Sequence, residues 1–216
     1  MPRQVDHAGR RRLIAEAVCE LADEHGLEGV SLRDVAARAQ VSMGAVQRCF
    51  RTKEEMLVFA LGHIGEVIGE RVQARLVRSP AQSARTALGY AATEVALLRE
   101  EHRAEARVWL AFVAQAAVSE ALATPLRANY AELQEAFARL IAEAHADAGP
   151  ATGAATEAPA EGGAGSGRPV ESLDAHREAR TLLALADGLT THVLIGHLSR
   201  QAAQDVLHAH LGRLCE

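Results

Sequence analysis

The sequence predicts an all-α fold of about nine helices, a small three-helix unit followed by a larger helical body, on three observations. Aromatic residues make up only 3% of the 216, while Ala, Leu, Arg and Glu recur throughout, which suits helices packed through small side chains better than a sheet core. Apolar residues return at helical spacing along nearly the whole chain. Ser31-Leu-Arg-Asp34 and Thr52-Lys-Glu-Glu55 both have the form of a capping box, the side-chain exchange that satisfies free N–H groups at a helix start.

The elements follow in order. Residues up to about Gly9 are polar and expected to fray, and a first helix over about 10–25 carries the stripe Leu13, Ile14, Ala17, Val18 and Leu21, with Gly26 as its stop. Ser31 caps a short second helix over about 32–39, with Val30 and Val35 placed as a hydrophobic staple. After a turn at Gln40-Val41, Ser42 caps a third short helix ending near Cys49, and Thr52 opens a longer fourth helix to about Leu76. Further helices are predicted over about 81–99, 103–118, 125–147, 170–197 and 201–214, with Pro80 and Pro125 marking starts. The stretch 149–169 is rich in Gly, Ala and Pro and reads as a flexible loop inserted between two helices. The predicted domains are residues 1–53 and 54–216.

Charge and cysteine content narrow the function classes. Residues 1–53 hold nine Arg or Lys against seven Asp or Glu, net +2, while the remainder holds fourteen against twenty-one, net −7. A basic head on an acidic body directs DNA to one end of the molecule. Cys19, Cys49 and Cys215 lie far apart, are odd in number and form no CxxC pair, so a reducing cytoplasm is the expected setting rather than a disulfide framework. No stretch of about 18 apolar residues exists to span a membrane, so no membrane association is expected. No GxSxG, Walker, HExxH or Rossmann glycine pattern occurs, and neither His208 with His210 nor His192 with His197 has ligand spacing on a helix, so no catalysis, metal or cofactor is expected.

The informative segment is SLRDVAARAQVSMGAVQRCFRTKEEM, residues 31–56. Two short helices, a tight turn and a long capped helix make a helix-turn-helix held on a scaffold. Val35, Ala36, Ala39, Val41, Val46 and Phe50 are spaced to pack both short helices on the first, which leaves Ser42, Met43, Gly44, Ala45, Gln47 and Arg48 outward, small or hydrogen-bonding as a major-groove helix needs. Ser31, Ser42 and Thr52 hydroxyls, helix N-termini, and Arg33, Arg48, Arg51 and Lys53 suit backbone phosphates. Lys53, the only lysine of the chain, stands at a helix start against the macrodipole, and a phosphate would account for it.

These residues resemble the DNA-binding domain of the TetR family of one-component regulators: Ser31, Asp34, Val35, Ala36, Ala39, Val41, Ser42, Gly44, Val46, Phe50, Thr52, Lys53 and Glu54 fall on the family's pattern over about residues 10–60. Three positions depart from it. Gln40 replaces the turn glycine and must adopt a left-handed conformation, Gln47 stands where tyrosine is usual, and Cys49 replaces a histidine or aromatic. Gln47 and Arg48 are either readers of an adenine and a guanine edge or phosphate contacts. Cys49 is either a redox switch beside Arg48 and Arg51 or a small structural residue.

The resemblance implies a homodimeric repressor that holds double-stranded DNA at a palindromic operator and releases it when a small-molecule effector enters the body and shifts the fourth helix. The alternative is a helical ligand-binding or interaction protein of the same fold without operator binding. Large side chains in the body, His63, Tyr90, Trp109, Phe112, Tyr130 and Phe137, either line an effector pocket or fill space, with Glu94, Arg107 and His192 as possible polar partners. Leu182, Leu185, Ala186, Leu189, Val193 and Gly196, with Val206, Leu207 and Leu211 on the last helix, form either a two-fold interface or ordinary core.

Overall fold

The computed structural model describes residues 7–78, 83–148 and 174–214. Within them lie nine α-helices: α1 (His7–His25), α2 (Leu32–Arg38), α3 (Met43–Cys49), α4 (Lys53–Arg78), α5 (Ala84–Val95), α6 (Arg103–Ala116), α7 (Glu120–Ala148), α8 (Ala175–Leu194) and α9 (Arg200–Leu214). A single 3-10 turn, Glu100–His102, leads into α6, and no strand occurs among the described residues. No single helix there is long and apolar enough to cross a membrane. The predicted loop over 149–169, the start at Pro80, the beginning of the helix near residue 170 and Cys215 lie outside the described residues.

Local chemistry sets the helix ends. α1 stops at Gly26, whose φ of 71° lets its N–H return to the Ala22 carbonyl at 2.9 Å. α8 ends through Gly196 at φ 76°, with Gly196 N–H on Val193 and His197 N–H on His192. Two expected boundaries move. α1 begins at His7, so residues 7–9 are helical rather than frayed. Pro125 does not open α7, which starts at Glu120, where the Ser119 carbonyl accepts from Leu122 and Ala123. Pro125 instead sits in the second turn, where it forfeits the N–H that the Ala121 carbonyl would accept.

Two apolar clusters hold the molecule. The first joins α1–α3 to α4 and α6 through Ile14, Val18, Val35, Val46, Phe50, Met56 and Phe112, so the small N-terminal unit is seated directly on the body. Phe50 and Phe59 pack at 5.4 Å between ring centres, and the Arg11 guanidinium lies 4.7 and 4.3 Å from them, clamping the end of α3 to α1 and α4. The second cluster is built by α5, α7, α8 and α9 around Leu88, Phe137, Ile141, Leu182 and Leu207. Each fully buried Leu, Ile or Phe stabilises such a core by about 1.5–3 kcal/mol relative to exposure.

Between the clusters, the buried Glu94 carboxylate on α5 receives Arg71 and Arg75 from α4 at 3.1 and 3.0 Å and Arg99 at 3.2 Å, with His102 at 3.8 Å. Burial would raise this carboxyl, but Arg75, Arg99, Arg71 and His102 outweigh it and hold it below the usual carboxylate range. The far end of α4 is thereby tied to the turn that follows α5. That turn contains Leu97 at φ 48°, a left-handed residue that ends the helix expected to run to residue 99.

Candidate DNA-reading face and body cavity

The reading face grows from two capped short helices. The Ser31 Oγ accepts the Asp34 N–H at 3.2 Å and donates to the Asp34 carboxylate at 2.6 Å, fixing the start of α2. Val30 and Val35 are buried, as a staple requires. At the end of α2 the Gln40 N–H meets the Ala37 carbonyl at 3.2 Å and the Val41 N–H meets the Ala36 carbonyl at 3.0 Å, with Gln40 at φ 54°. The glycine position of this turn is thus held by glutamine in the left-handed region. Ser42 caps α3 by accepting the Ala45 N–H at 3.2 Å.

α3 is anchored by Val46, Cys49 and Phe50, all buried, which turns Ser42, Met43, Gln47 and Arg48 outward, with Gly44 half-buried among them. Ala45 is a correction: expected outward, it is 6% exposed and packs inward beside Val46. On a helix of only seven residues the inward face spans nearly half the turn, and a residue beside a core valine falls within it. Cys49 lies in the core cluster as a small buried side chain.

The charges around α3 differ in commitment. Among the described residues Arg33, Arg48 and Arg51 form no ion pair, whereas Arg38 is bound by Glu20 and Glu24 at 3.1 and 2.7 Å. At the start of α4, Thr52 Oγ1 accepts the Glu55 N–H at 3.0 Å and the Glu55 carboxylate accepts the Arg51 N–H at 2.8 Å. Lys53 Nζ donates to the Glu28 carbonyl at 3.2 Å, which explains in part a cation at a helix start. An ammonium has three donors, so two more remain for an anion.

The large side chains of the body do not converge on one pocket. Trp109 and Phe137 line a cavity of about 350 Å³ between α4, α5 and α7, together with Gly65, Gly69 and Asn129, which sequence reasoning missed. For the glycines a signal was present: three of them, Gly62, Gly65 and Gly69, stand inside one long helix. His63 faces a different groove, of about 380 Å³ between α1, α4 and α6. Phe112 is fully buried in the first cluster. Tyr90 lies under the Arg75 guanidinium at 4.7 Å, and Glu94 serves the arginine cluster. Arg107, expected as a polar pocket partner, pairs instead with Asp23 of α1, and His192 is exposed against the His197 ring. Tyr130 donates its hydroxyl to Asp187, whose other oxygen receives the Trp109 N–H at 3.1 Å. Burial pushes the Asp187 carboxyl up, and these two donors offset only part of that.

In the acidic groove around His63, burial and the charges of Glu105, Glu16 and Glu20 push the Cys19 thiol up to about 12. The expected interface stripe is also a correction. Leu182, Leu189, Leu207 and Leu211 are buried in the chain's own second cluster, and Leu185 and Val193 are half-buried against it. Of the stripe, Val206 on α9 and Gly196 face outward; the outward face of α8 otherwise carries Ala184 and Thr191, and Ile195 lies exposed just past its end.

Comparison with known proteins places this architecture. Residues 14–58 match the family model for bacterial regulatory proteins of the tetR family, and residues 84–165 and 158–216 match that for the C-terminal part of BetI-type transcriptional repressors. The HTH-type transcriptional regulator PksA of Bacillus subtilis is 29% identical over all of this chain and 94% of its own length. The HTH-type transcriptional repressor KstR of Mycolicibacterium smegmatis is 43% identical over 53 residues, 24% of this chain and 26% of its own. Among solved structures, a TetR-family regulator from Rhodococcus sp. superposes with a TM-score of 0.78 at 24% identity, covering 97% of this chain and all of its own. A transcriptional regulator from Saccharomonospora viridis in complex with choline does so at 0.70 and 23%, covering 95% of each chain. With both family models matched in order across a capped helix-turn-helix and a helical body, the chain belongs to the TetR family of DNA-binding transcriptional regulators.

Proposed function

We propose that the chain acts in the cytoplasm as a homodimeric repressor that grips a palindromic operator through α3 and lets go when a small molecule occupies the cavity beside α4. One observation carries the reading: α3 is capped, anchored on one side by Val46, Cys49 and Phe50, and presents Ser42, Met43, Gln47 and Arg48 on the other beside uncommitted Arg33 and Arg51. In this reading residues 1–53 read DNA and 54–216 sense and dimerise. Ser31, Arg33, Arg51, Thr52 and Lys53 hold phosphates, while Gln47 and Arg48 meet base edges. The exposed Ile195 and Val206, at 70% and 44%, support a second copy covering α8 and α9. A choline complex of a neighbour with this fold supports a small-molecule effector.

The test is anisotropy of a labelled duplex, enriched from random sequence, at several salt concentrations. A repressor loses affinity steeply with salt as counterions are released. Lys53→Ala weakens binding to every sequence, whereas Gln47→Ala changes preference at one base pair. If both variants bind as the parent does, this docking is wrong and the fold serves ligand binding or protein interaction alone.

A further inference from the structure

The cavity beside α4 exists because side chains are missing from it. Gly65 and Gly69 stand one turn apart on the wall that α4 contributes. A Cβ on Gly69 would meet nothing within 4 Å, and one on Gly65 would come to 3.1 Å from the Asn129 Nδ2. Glycine inside a helix is unfavourable relative to alanine, so two of them on one wall exchange helix stability for open volume.

The surrounding wall is apolar: Ile68, Val72, Leu133, Phe137 and Leu140, with the Trp109 ring. The Trp109 N–H is committed to Asp187, so the indole offers surface and no donor. Two amides break this lining, Gln73, which is exposed at the edge, and Asn129, whose Nδ2 faces the Gly65 backbone. The Asn129 Oδ1 is buried and receives no hydrogen bond among the described residues. Charged groups stay at the rim, where Arg139 and Glu143 are exposed, four residues apart on α7 and opposite in sign. An ionic head inside would be desolvated without a counter-charge, while an apolar chain gains with the area it buries and a donor meets the waiting acceptor.

We infer that this cavity takes an uncharged, predominantly apolar molecule bearing one hydrogen-bond donor, such as a long-chain alcohol, with the donor on Asn129 and the chain along the glycine wall of α4. The inference rests on the effector reading above and adds the chemical class of the effector. It also separates this chain from a site built for a quaternary ammonium.

Trp109 is the only tryptophan in the sequence, so its emission reports this site alone. The probe is bromo-octanol, whose bromine quenches indole, titrated into the full chain and competed with octanol, methyl octyl ether, octanoate and choline. Saturable quenching is expected, displaced by octanol and about fivefold less well by the ether, the worth of one neutral hydrogen bond. Asn129→Leu lowers octanol affinity about fivefold and erases its advantage over the ether. Gly69→Phe fills the gap and abolishes saturable quenching. Quenching without saturation, choline or octanoate competing as well as octanol, or Asn129→Leu behaving as the parent overturns the inference. The same preparations are assayed on the enriched duplex. DNA binding without saturable quenching removes the ligand class alone, and saturable quenching without DNA binding removes the repressor reading alone.

Discussion

Replacing Gln40 by glycine isolates one backbone conformation from everything else in the reading unit. The residue sits at φ 54° in the turn between α2 and α3, and its exposed side chain makes no hydrogen bond among the described residues. The left-handed region costs a residue with a Cβ about 1–2 kcal/mol. Glycine removes that cost but adds about 0.5–1 kcal/mol of backbone freedom to the unfolded chain. The difference leaves Gln40→Gly more stable by about 0.5–1 kcal/mol, since the two turn hydrogen bonds to Ala36 and Ala37 are backbone groups and survive. For a chain of this size that is a rise in Tm of about 1–4 °C. The assay is urea and thermal unfolding followed by circular dichroism. Leu97→Gly is the control of opposite sign. Its φ is 48°, but the side chain is only 4% exposed, so relief of strain is outweighed by a lost core leucine and the variant falls by about 1–3 kcal/mol. A Gln40→Gly chain no more stable than the parent would refute the reasoning.

Glu94→Gln should cost about 1.5–3 kcal/mol, because Arg75 and Arg99 lose a buried charged acceptor while partly exposed Arg71 keeps Glu105, and urea midpoints measure it. The native carboxyl lies below its unfolded value of about 4.3, so its contribution is complete above that pH and is lost as pH falls through the lower native value; the Gln variant should show a flatter stability profile across that acid window. With its thiol near 12, Cys19 is about one part in ten thousand thiolate at pH 8, so peptide mapping after iodoacetamide should leave it unmodified in the folded chain and alkylated in urea.

What could be read from sequence was what neighbours in the chain decide. The caps at Ser31, Ser42 and Thr52, the stop at Gly26 and the left-handed Gln40 all depend on groups within five residues, and all are present. What could not be read depends on partners far away. The periodic stripe Leu182, Leu189, Leu207 and Leu211 announces burial without naming what buries it, and the chain's own α5 and α7 do so. Choosing lining residues by bulk found Trp109 and Phe137 and missed the glycines for a related reason. Phe112 is large and therefore fills space, while the opening is lined by Gly65 and Gly69, whose contribution is the side chain they lack. Pro125 misled because proline is tolerated one turn later than its preferred place when Ser119 can already supply the helix start.

α4 is a rod of 26 residues, about 39 Å, held at one end by Lys53 on the Glu28 carbonyl and at the other by Arg71 and Arg75 on Glu94. Its glycines, Gly62, Gly65 and Gly69, run from mid-span toward the second mooring, with Gly69 two residues from Arg71. A beam fixed at both ends and slender at mid-span yields by bowing rather than by swinging as a pendulum. Pressure applied along this stretch would then be felt at both moorings, as a small rotation of the first turn of α4 and as a load on the arginine cluster.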